Sequence, residues 1–445
     1  CTNTGANPVV LTVTDNNGNT STCSAIVTVQ DQVAPVAICQ NVTVQLNAAG
    51  NGWATAAAVN NGSNDACGIA SLVLNKTSFN CSNKGANSVI LTVTDNSGNV
   101  STCTAVVTVQ DNVAPVALCK NVTVVLSAAG SCSTTATAVN NGSNDACGIA
   151  SLVLSKTSFN CSNVGANSVT LTVTDNSGNT STCTSTVTVQ DNTAPVALCK
   201  NITVNLSATG SASITASQVN NTSTDACGIA SLNASVNTFT CSNVGANNVV
   251  LTVTDVNGNS STCTSVVTIK DVTPPTPICQ NVTISLNAAG TASVTAAQVN
   301  NGSTDVCGVA GLALSKTTFN CTNKGANTVA LTVTDVNGNS STCSAVVTVQ
   351  DLIAPTIIGC PANRSVVAAV GQLCATSTWT APTTSDNCTG TVLTSNYASG
   401  YCFPAGTSTV VYTATDAAGN TSNCSFTVSV TLTCSNLNWG GVIGC

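Results

Sequence analysis

Residues 92–109, TVTDNSGNVSTCTAVVTV, decide the fold. Apolar and polar residues alternate on both sides of Asp95-Asn96-Ser97-Gly98-Asn99. Period two marks half-buried strands, and the Asp/Asn/Gly cluster between them reads as a hairpin turn. Working outward, NVTVQL (41–46), ATAAAV (54–59), IASLVL (69–74) and SVILTVTD (88–95) are separated by Asn/Gly/Ser/Asp clusters. β-branched residues crowd these periodic runs, which argues against a helical solenoid. Roughly seven short strands per period predict an all-β, immunoglobulin-like sandwich.

That period is 80 residues. VAPVAICQNVTVQL (33–46) returns as VAPVALCKNVTVVL (113–126), TAPVALCKNITVNL (193–206) and TPPTPICQNVTISL (273–286). The expected organisation of the 445 residues is a C-terminal remnant of a truncated repeat (1–31) and four full repeats (32–111, 112–191, 192–271, 272–351). A divergent unit (352–432) and a tail or start of another domain (433–445) follow. Boundaries fall at V-Q-D-x-x-A-P, where Asp opens a turn and Pro stops a strand. The chain opens in mid-pattern at Cys1 and reads as part of something longer.

Composition excludes several functions. There is no His, and all 16 acidic residues are Asp. Ser-His-Asp and Cys-His nucleophiles, His-ligated metals and Glu acid/base pairs are therefore absent, and the chain reads as non-catalytic. Nine scattered Lys and Arg against 16 Asp leave a net charge of −7, which fits neither a nucleic-acid surface nor a polybasic membrane patch. No apolar run is long enough for a transmembrane helix. The 26 Cys, no two closer than ten residues, point to disulfides in an oxidising, extracellular setting rather than to paired metal thiolates.

The 352–432 unit carries GCPANRSVVAAVGQLCATSTWTAPTTSDNCTG (359–390) and CFPAGTSTVVYTATDAAGNTSNCSFTVSV (402–430). C-P-x-N, W-x-x-P, D-N-C, F-P-x-G-T and T-D-x-x-G-N-x-x-x-C together resemble the hyalin repeat (HYR) family. The upstream repeats look like a diverged HYR-like type; they lack C-P and F-P-x-G, so no ligand contacts carry over to them. The tandem array is similar to the large gliding-motility adhesins of Bacteroidota exported by the type IX system. The resemblance implies an extracellular, cell-surface adhesin filament with its secretion and motility machinery as partners.

Each full repeat has four Cys, and four allow three connectivities. In a sandwich of this type the first and last strands can run side by side, which favours Cys39–Cys103, Cys119–Cys183, Cys199–Cys263, Cys279–Cys343 and Cys360–Cys424. Cys67 and Cys81 flank a short apolar run with a turn at Asn75-Lys76-Thr77, which favours Cys67–Cys81, Cys147–Cys161, Cys227–Cys241, Cys307–Cys321 and Cys388–Cys402. Cys1 and Cys23 should find partners upstream of residue 1. Cys132 is an extra, and Cys374, Cys434 and Cys445 stay unassigned. Under tension, bonded first and last strands would leave about 16 residues per repeat free to stretch, roughly 50 Å.

The Asp residues fall in three registers of the repeat. Boundary positions are Asp31, Asp111, Asp191, Asp271 and Asp351. Asp65, Asp145, Asp225, Asp305 and Asp386 stand just before the second Cys. The hairpin turns open with Asp15, Asp95, Asp175, Asp255, Asp335 and Asp416. Asp31, Asp65 and Asp95, and each later set, are expected to converge where one repeat meets the next, a set of oxygens that suits Ca²⁺ at the interdomain junctions. The same Asp also suit turns without any metal, since their side chains bond backbone N–H groups.

Phe79, Phe159, Phe239 and Phe319 recur at one register and read as core, as does Trp379. Trp53 reads as a candidate exposed contact. The expected role is a stalk serving surface attachment and gliding, with neighbouring repeats and an external surface or polysaccharide as partners. A structural matrix or coat protein is the alternative. A carbohydrate-binding module would need an aromatic platform, which Tyr397, Tyr401, Phe403 and Tyr412 alone offer.

Overall fold

A computed structural model describes residues 1–433. The rest of the expected 433–445 segment, with Cys434 and Cys445, lies outside the described residues. Residues 1–31 contribute an antiparallel hairpin of β1 (Gly5–Thr14) and β2 (Thr20–Val29), whose side chains are almost all exposed. In 32–111 the elements are β3 (Val42–Gln45), β4 (Asn51–Trp53), the single helical turn α1 (Ala56–Val59), β5 (Ile69–Leu74), β6 (Ser78–Asn80), β7 (Gly85–Asp95) and β8 (Val100–Gln110). One sheet has the order β3-β8-β7-β5. β3 runs parallel to β8 and the other neighbours are antiparallel. The facing layer is thin: β4 pairs with β6, and Val36–Asn64 and Cys39–Asn60 add isolated bridges. The result is an all-β, immunoglobulin-like sandwich.

Alternation makes the core. Val89, Leu91 and Val93 of β7 and Val107 and Val109 of β8 are buried, and Phe79 from β6 closes over them. Each such side chain contributes about 1.5–3 kcal/mol by leaving water. Lys76, Lys156 and Lys316 lie over the rings of Phe79, Phe159 and Phe319, 4.8–4.9 Å from the centroids. The pattern returns downstream. Val122–Val125 pairs parallel with Thr180–Gln190, Ile202–Asn205 with Ser260–Lys270, and Val282–Ser285 with Ser340–Gln350. In the last repeat Arg364–Ala368 pairs parallel with Thr421–Leu432, next to Gly406–Thr415 and Val392–Ser395.

The chain divides into two compact units. One comprises Cys1–Ala197, Ser223–Leu232 and Val253–Ser261; the other comprises Leu198–Thr222, Asn233–Thr252 and Thr262–Cys445. The division runs through the 192–271 repeat. No helix among the described residues is long and apolar enough to cross a membrane.

The parallel first and last strands bring Cys39 to Cys103, with Cα atoms 5.8 Å apart, and likewise Cys119–Cys183, Cys199–Cys263, Cys279–Cys343 and Cys360–Cys424. The expected second set is wrong: Cys67–Cys81, Cys147–Cys161, Cys227–Cys241, Cys307–Cys321 and Cys388–Cys402 do not form. β5 and β6 belong to different sheets, so the run between Cys67 and Cys81 is a crossover and not a hairpin. Cys67 sits beside the closing hairpin, where Asn96 Nδ2 donates to its carbonyl oxygen. Cys81 lies in a 3₁₀ turn (Cys81–Asn83) against Gly50, next to Ala146 of the following repeat. Each therefore bonds a neighbouring repeat: Cys1–Cys67, Cys81–Cys147, Cys161–Cys227, Cys241–Cys307 and Cys321–Cys388. Cys1 thus finds its partner downstream and not upstream. Cys374 bonds Cys402 within the last repeat, where the strand pairs Cys374–Thr376 and Cys402–Pro404 face each other. Cys23 and Cys132 are the free cysteines among the described residues.

Candidate functional site

Each junction is built by the turn that opens with Asp. Oδ1 of Asp175 accepts the backbone N–H groups of Ser177 and Asn179, and Oδ2 accepts Asn179 Nδ2 at 2.8 Å. This aims the same Asn179 amide at the incoming segment, where it donates to the carbonyl oxygens of Asp111 and Val113. Asn99, Asn259, Asn339 and Asn420 make the equivalent bond to the carbonyl oxygens of Asp31, Asp191, Asp271 and Asp351. By sequence Asn99 is only the last residue of the hairpin turn. Asn recurring four residues after the hairpin Asp was the available signal for this clamp.

Burial works to raise the carboxyl pKa of Asp95, Asp175, Asp255, Asp335 and Asp416, but the hydrogen bonds from the Asn side chain and the turn backbone outweigh it. These groups titrate below the ordinary carboxylate value, and so does the exposed Asp15, held mainly by Asn19. They are turn anchors with both oxygens engaged.

The other two registers do meet. Carboxylate oxygens of Asp31 and Asp65 and the sulfur of Cys67 lie within 4.8 Å of one another. The groups Asp111/Asp145/Cys147, Asp191/Asp225/Cys227 and Asp271/Asp305/Cys307 repeat the arrangement. Each of these sulfurs is committed to an inter-repeat disulfide and is no thiolate ligand. Asp95, Asp175, Asp255 and Asp335 are not part of these groups. In the last repeat all three registers converge, as Asp351, Asp386 and Asp416.

Beside each cluster runs a close approach. Gly50, Gly130, Gly210 and Gly290 have φ between +70° and +74°, and a Cβ at any of them would lie within 3.0 Å of a disulfide sulfur. The same Cβ would touch Ala146, Ala226, Val306 or the Asn387 carbonyl oxygen of the next repeat. Lys84 also reaches across, donating to the Asn176 carbonyl oxygen at 2.6 Å and to Ser177 Oγ at 3.1 Å.

The aromatic candidates divide. Phe79, Phe159, Phe239 and Phe319 are buried, and Trp53 is exposed. Trp379 is buried and donates through Nε1 to the Tyr412 hydroxyl at 2.7 Å. Phe403 and Tyr412 are also core. Tyr401 remains exposed, against Tyr397 at 4.9 Å between centroids.

Residues 350–430 match the HYR domain model. Over 196 residues, 42% of this chain, the sequence is 34% identical to "Hyalin" of Strongylocentrotus purpuratus and spans 16% of that protein's length. Among solved structures, the chain is similar to the protocadherin GammaB4 extracellular domain at 11% identity and a TM-score of 0.30, covering 95% of this chain and 89% of that one. It is similar to Sidekick-1 immunoglobulin domains 1–5 at 10% identity and a TM-score of 0.26, covering 90% and 98%.

Proposed function

We propose that this chain is a non-catalytic, tension-bearing segment of a secreted cell-surface adhesin, built from HYR-like repeats along its length and serving attachment and gliding. One observation carries the reading: every full repeat is disulfide-bonded within itself and again to the repeats before and after it. An enzyme has no use for a covalent link at every domain junction, whereas a stalk under pull does. The Cys content fits an extracellular, oxidising location. A surface of Thr, Ser and Asn with 6% charged residues fits loose contact with an external surface or polysaccharide. On this reading the neighbouring repeats and the outer-membrane secretion and motility machinery are its partners.

The test is immunogold electron microscopy of the producing cells with an antibody to one repeat. Label along discrete fibres, together with loss of attachment or gliding when the antibody is added, is expected. Label in a continuous layer around or between cells would replace the stalk with a coat or matrix protein.

A further inference from the structure

The last junction differs from those before it at two positions of the closing turn, Ala417 and Ala418, and the second matters here. Ser97, Ser177, Asn257 and Asn337 place a hydrogen-bond donor there, and the last repeat has Ala418. Where the donor acts, it caps the boundary carboxylate: Ser177 Oγ donates to Asp111 Oδ2 at 2.8 Å, and Asn257 Nδ2 to Asp191 Oδ2 at 2.6 Å. Ala418 can do neither. Asp351 is 4% exposed, and its Oδ2 is buried without a hydrogen-bond partner. Two further buried acceptors lack a donor here, Asp386 Oδ1 and Asn387 Oδ1. Asn387 is tied in through Nδ2, which donates to Asp351 Oδ1 at 3.1 Å.

Asp416 completes the set, its oxygens held by Ala418 N, Asn420 N and Asn420 Nδ2. An oxygen that accepts hydrogen bonds in this way still offers a lone pair to a cation. The repeat's single basic residue, Arg364, stands exposed on strand Arg364–Ala368. Lys324 occupies the register from which Lys84 crosses to the Asn176 carbonyl oxygen and Ser177, but among the described residues it forms no ion pair with Asp351, Asp386 or Asp416. Three carboxylates are thus gathered, two of them, Asp351 and Asp386, with a buried unpaired oxygen, an arrangement that is costly unless a cation compensates it.

We infer that the last junction binds one hard divalent cation, calcium by its chemistry, between Asp351, Asp386 and Asp416, with Asn387 Oδ1 as a neutral ligand. All-oxygen donors of irregular geometry suit Ca²⁺, which takes six to eight oxygens flexibly, better than Mg²⁺, which demands a near-ideal octahedron. Asp31 Oδ2 and Asp271 Oδ2 are also buried without a partner, but at those junctions, as at the Asp111 and Asp191 ones, only two carboxylates meet beside a disulfide sulfur, so they do not share the three-carboxylate site.

Calorimetric titration of the full chain with CaCl₂ after chelator treatment tests this. One ion per chain is expected. Affinity should fall about tenfold or more in Asp351→Asn, and also in Ala418→Ser, which returns the capping hydroxyl. Ala418→Ser only restores what sister repeats carry, so it guards against a result that reflects misfolding. Absence of calcium uptake, uptake unchanged in both variants, or several equivalent ions per chain would each overturn the assignment.

Discussion

Asp175 shows how one carboxylate does structural work in this chain. It is nearly inaccessible, yet its pKa lies below the ordinary 3.8, because the Asn179 side chain and the turn backbone donate to it. A carboxyl whose pKa is lower folded than unfolded adds stability above its unfolded pKa, and that stability is lost as pH falls through the folded value. The repeats should therefore hold their stability from neutral pH down to about pH 4 and lose it below. Asp175→Asn should cost about 1–2 kcal/mol at pH 7 by weakening charge-assisted bonds and loosening the Asn179 clamp on Asp111 and Val113. Denaturant melts at pH 7 and pH 3 check this: the gap between variant and parent should narrow at pH 3, below the ordinary carboxylate value, where proton uptake by the unfolded chain begins to cancel the parent's advantage. A gap of equal size at both values would mean that shape, and not charge, is what the turn needs.

At the scale of elements, the inter-repeat seam depends on glycines that bring a 3₁₀ turn against the next repeat. Gly130 has φ +71°, and a Cβ there would lie 2.8 Å from Cys161 Sγ and 3.1 Å from the Ala226 Cβ. Gly142 has φ +79° but open space around it. Gly142→Ala should cost about 1–2 kcal/mol, the backbone term alone. Gly130→Ala should cost about 1–3 kcal/mol more, since the clash adds to it. Thermal or denaturant melts of the two variants side by side separate the terms, and equal losses would remove the seam from the account. The strands themselves were legible in the sequence because alternation reports which face is buried, and Cys39 and Cys103 followed from adjacent outer strands. The second disulfide set was not legible. The run from Cys67 to Cys81 looks like a hairpin by composition, but β5 pairs with β7 and β6 with β4. Periodicity tells that a strand exists, not which sheet it joins. The Asp convergence was only partly legible for a related reason: residue type and register bring three carboxylates to one end, whereas hydrogen bonding turns the hairpin Asp back into its own turn. The consequence of Ala418 required knowing what Ser177 and Asn257 donate to.

Over the whole molecule the two disulfide sets form two covalent routes through the repeats. One runs through the first-to-last-strand bonds and the 16 residues from Cys103 to Cys119. The other runs through the inter-repeat bonds and the 14 residues from Cys67 to Cys81 or from Cys147 to Cys161. Fourteen extended residues reach about 50 Å, against about 270 Å for a full 80-residue repeat. The second route stops in the last repeat. There Phe403 is followed within three residues by Gly406, whereas six separate Phe79 from Gly85, so the turn that carries Cys81 has no counterpart. Single-molecule pulling under non-reducing conditions should show extensions of about 50 Å per repeat at most, rising towards about 270 Å with reductant. The decisive variant removes both Cys119 and Cys183 as Ser. If the second set closed within repeats, this change would release a whole repeat. With Cys81–Cys147 and Cys161–Cys227 in place, tension still passes from Cys81 to Cys147 and from Cys161 to Cys227, and the extensions should stay short. A new step well beyond about 50 Å in that variant would mean that the inter-repeat bonds do not carry force.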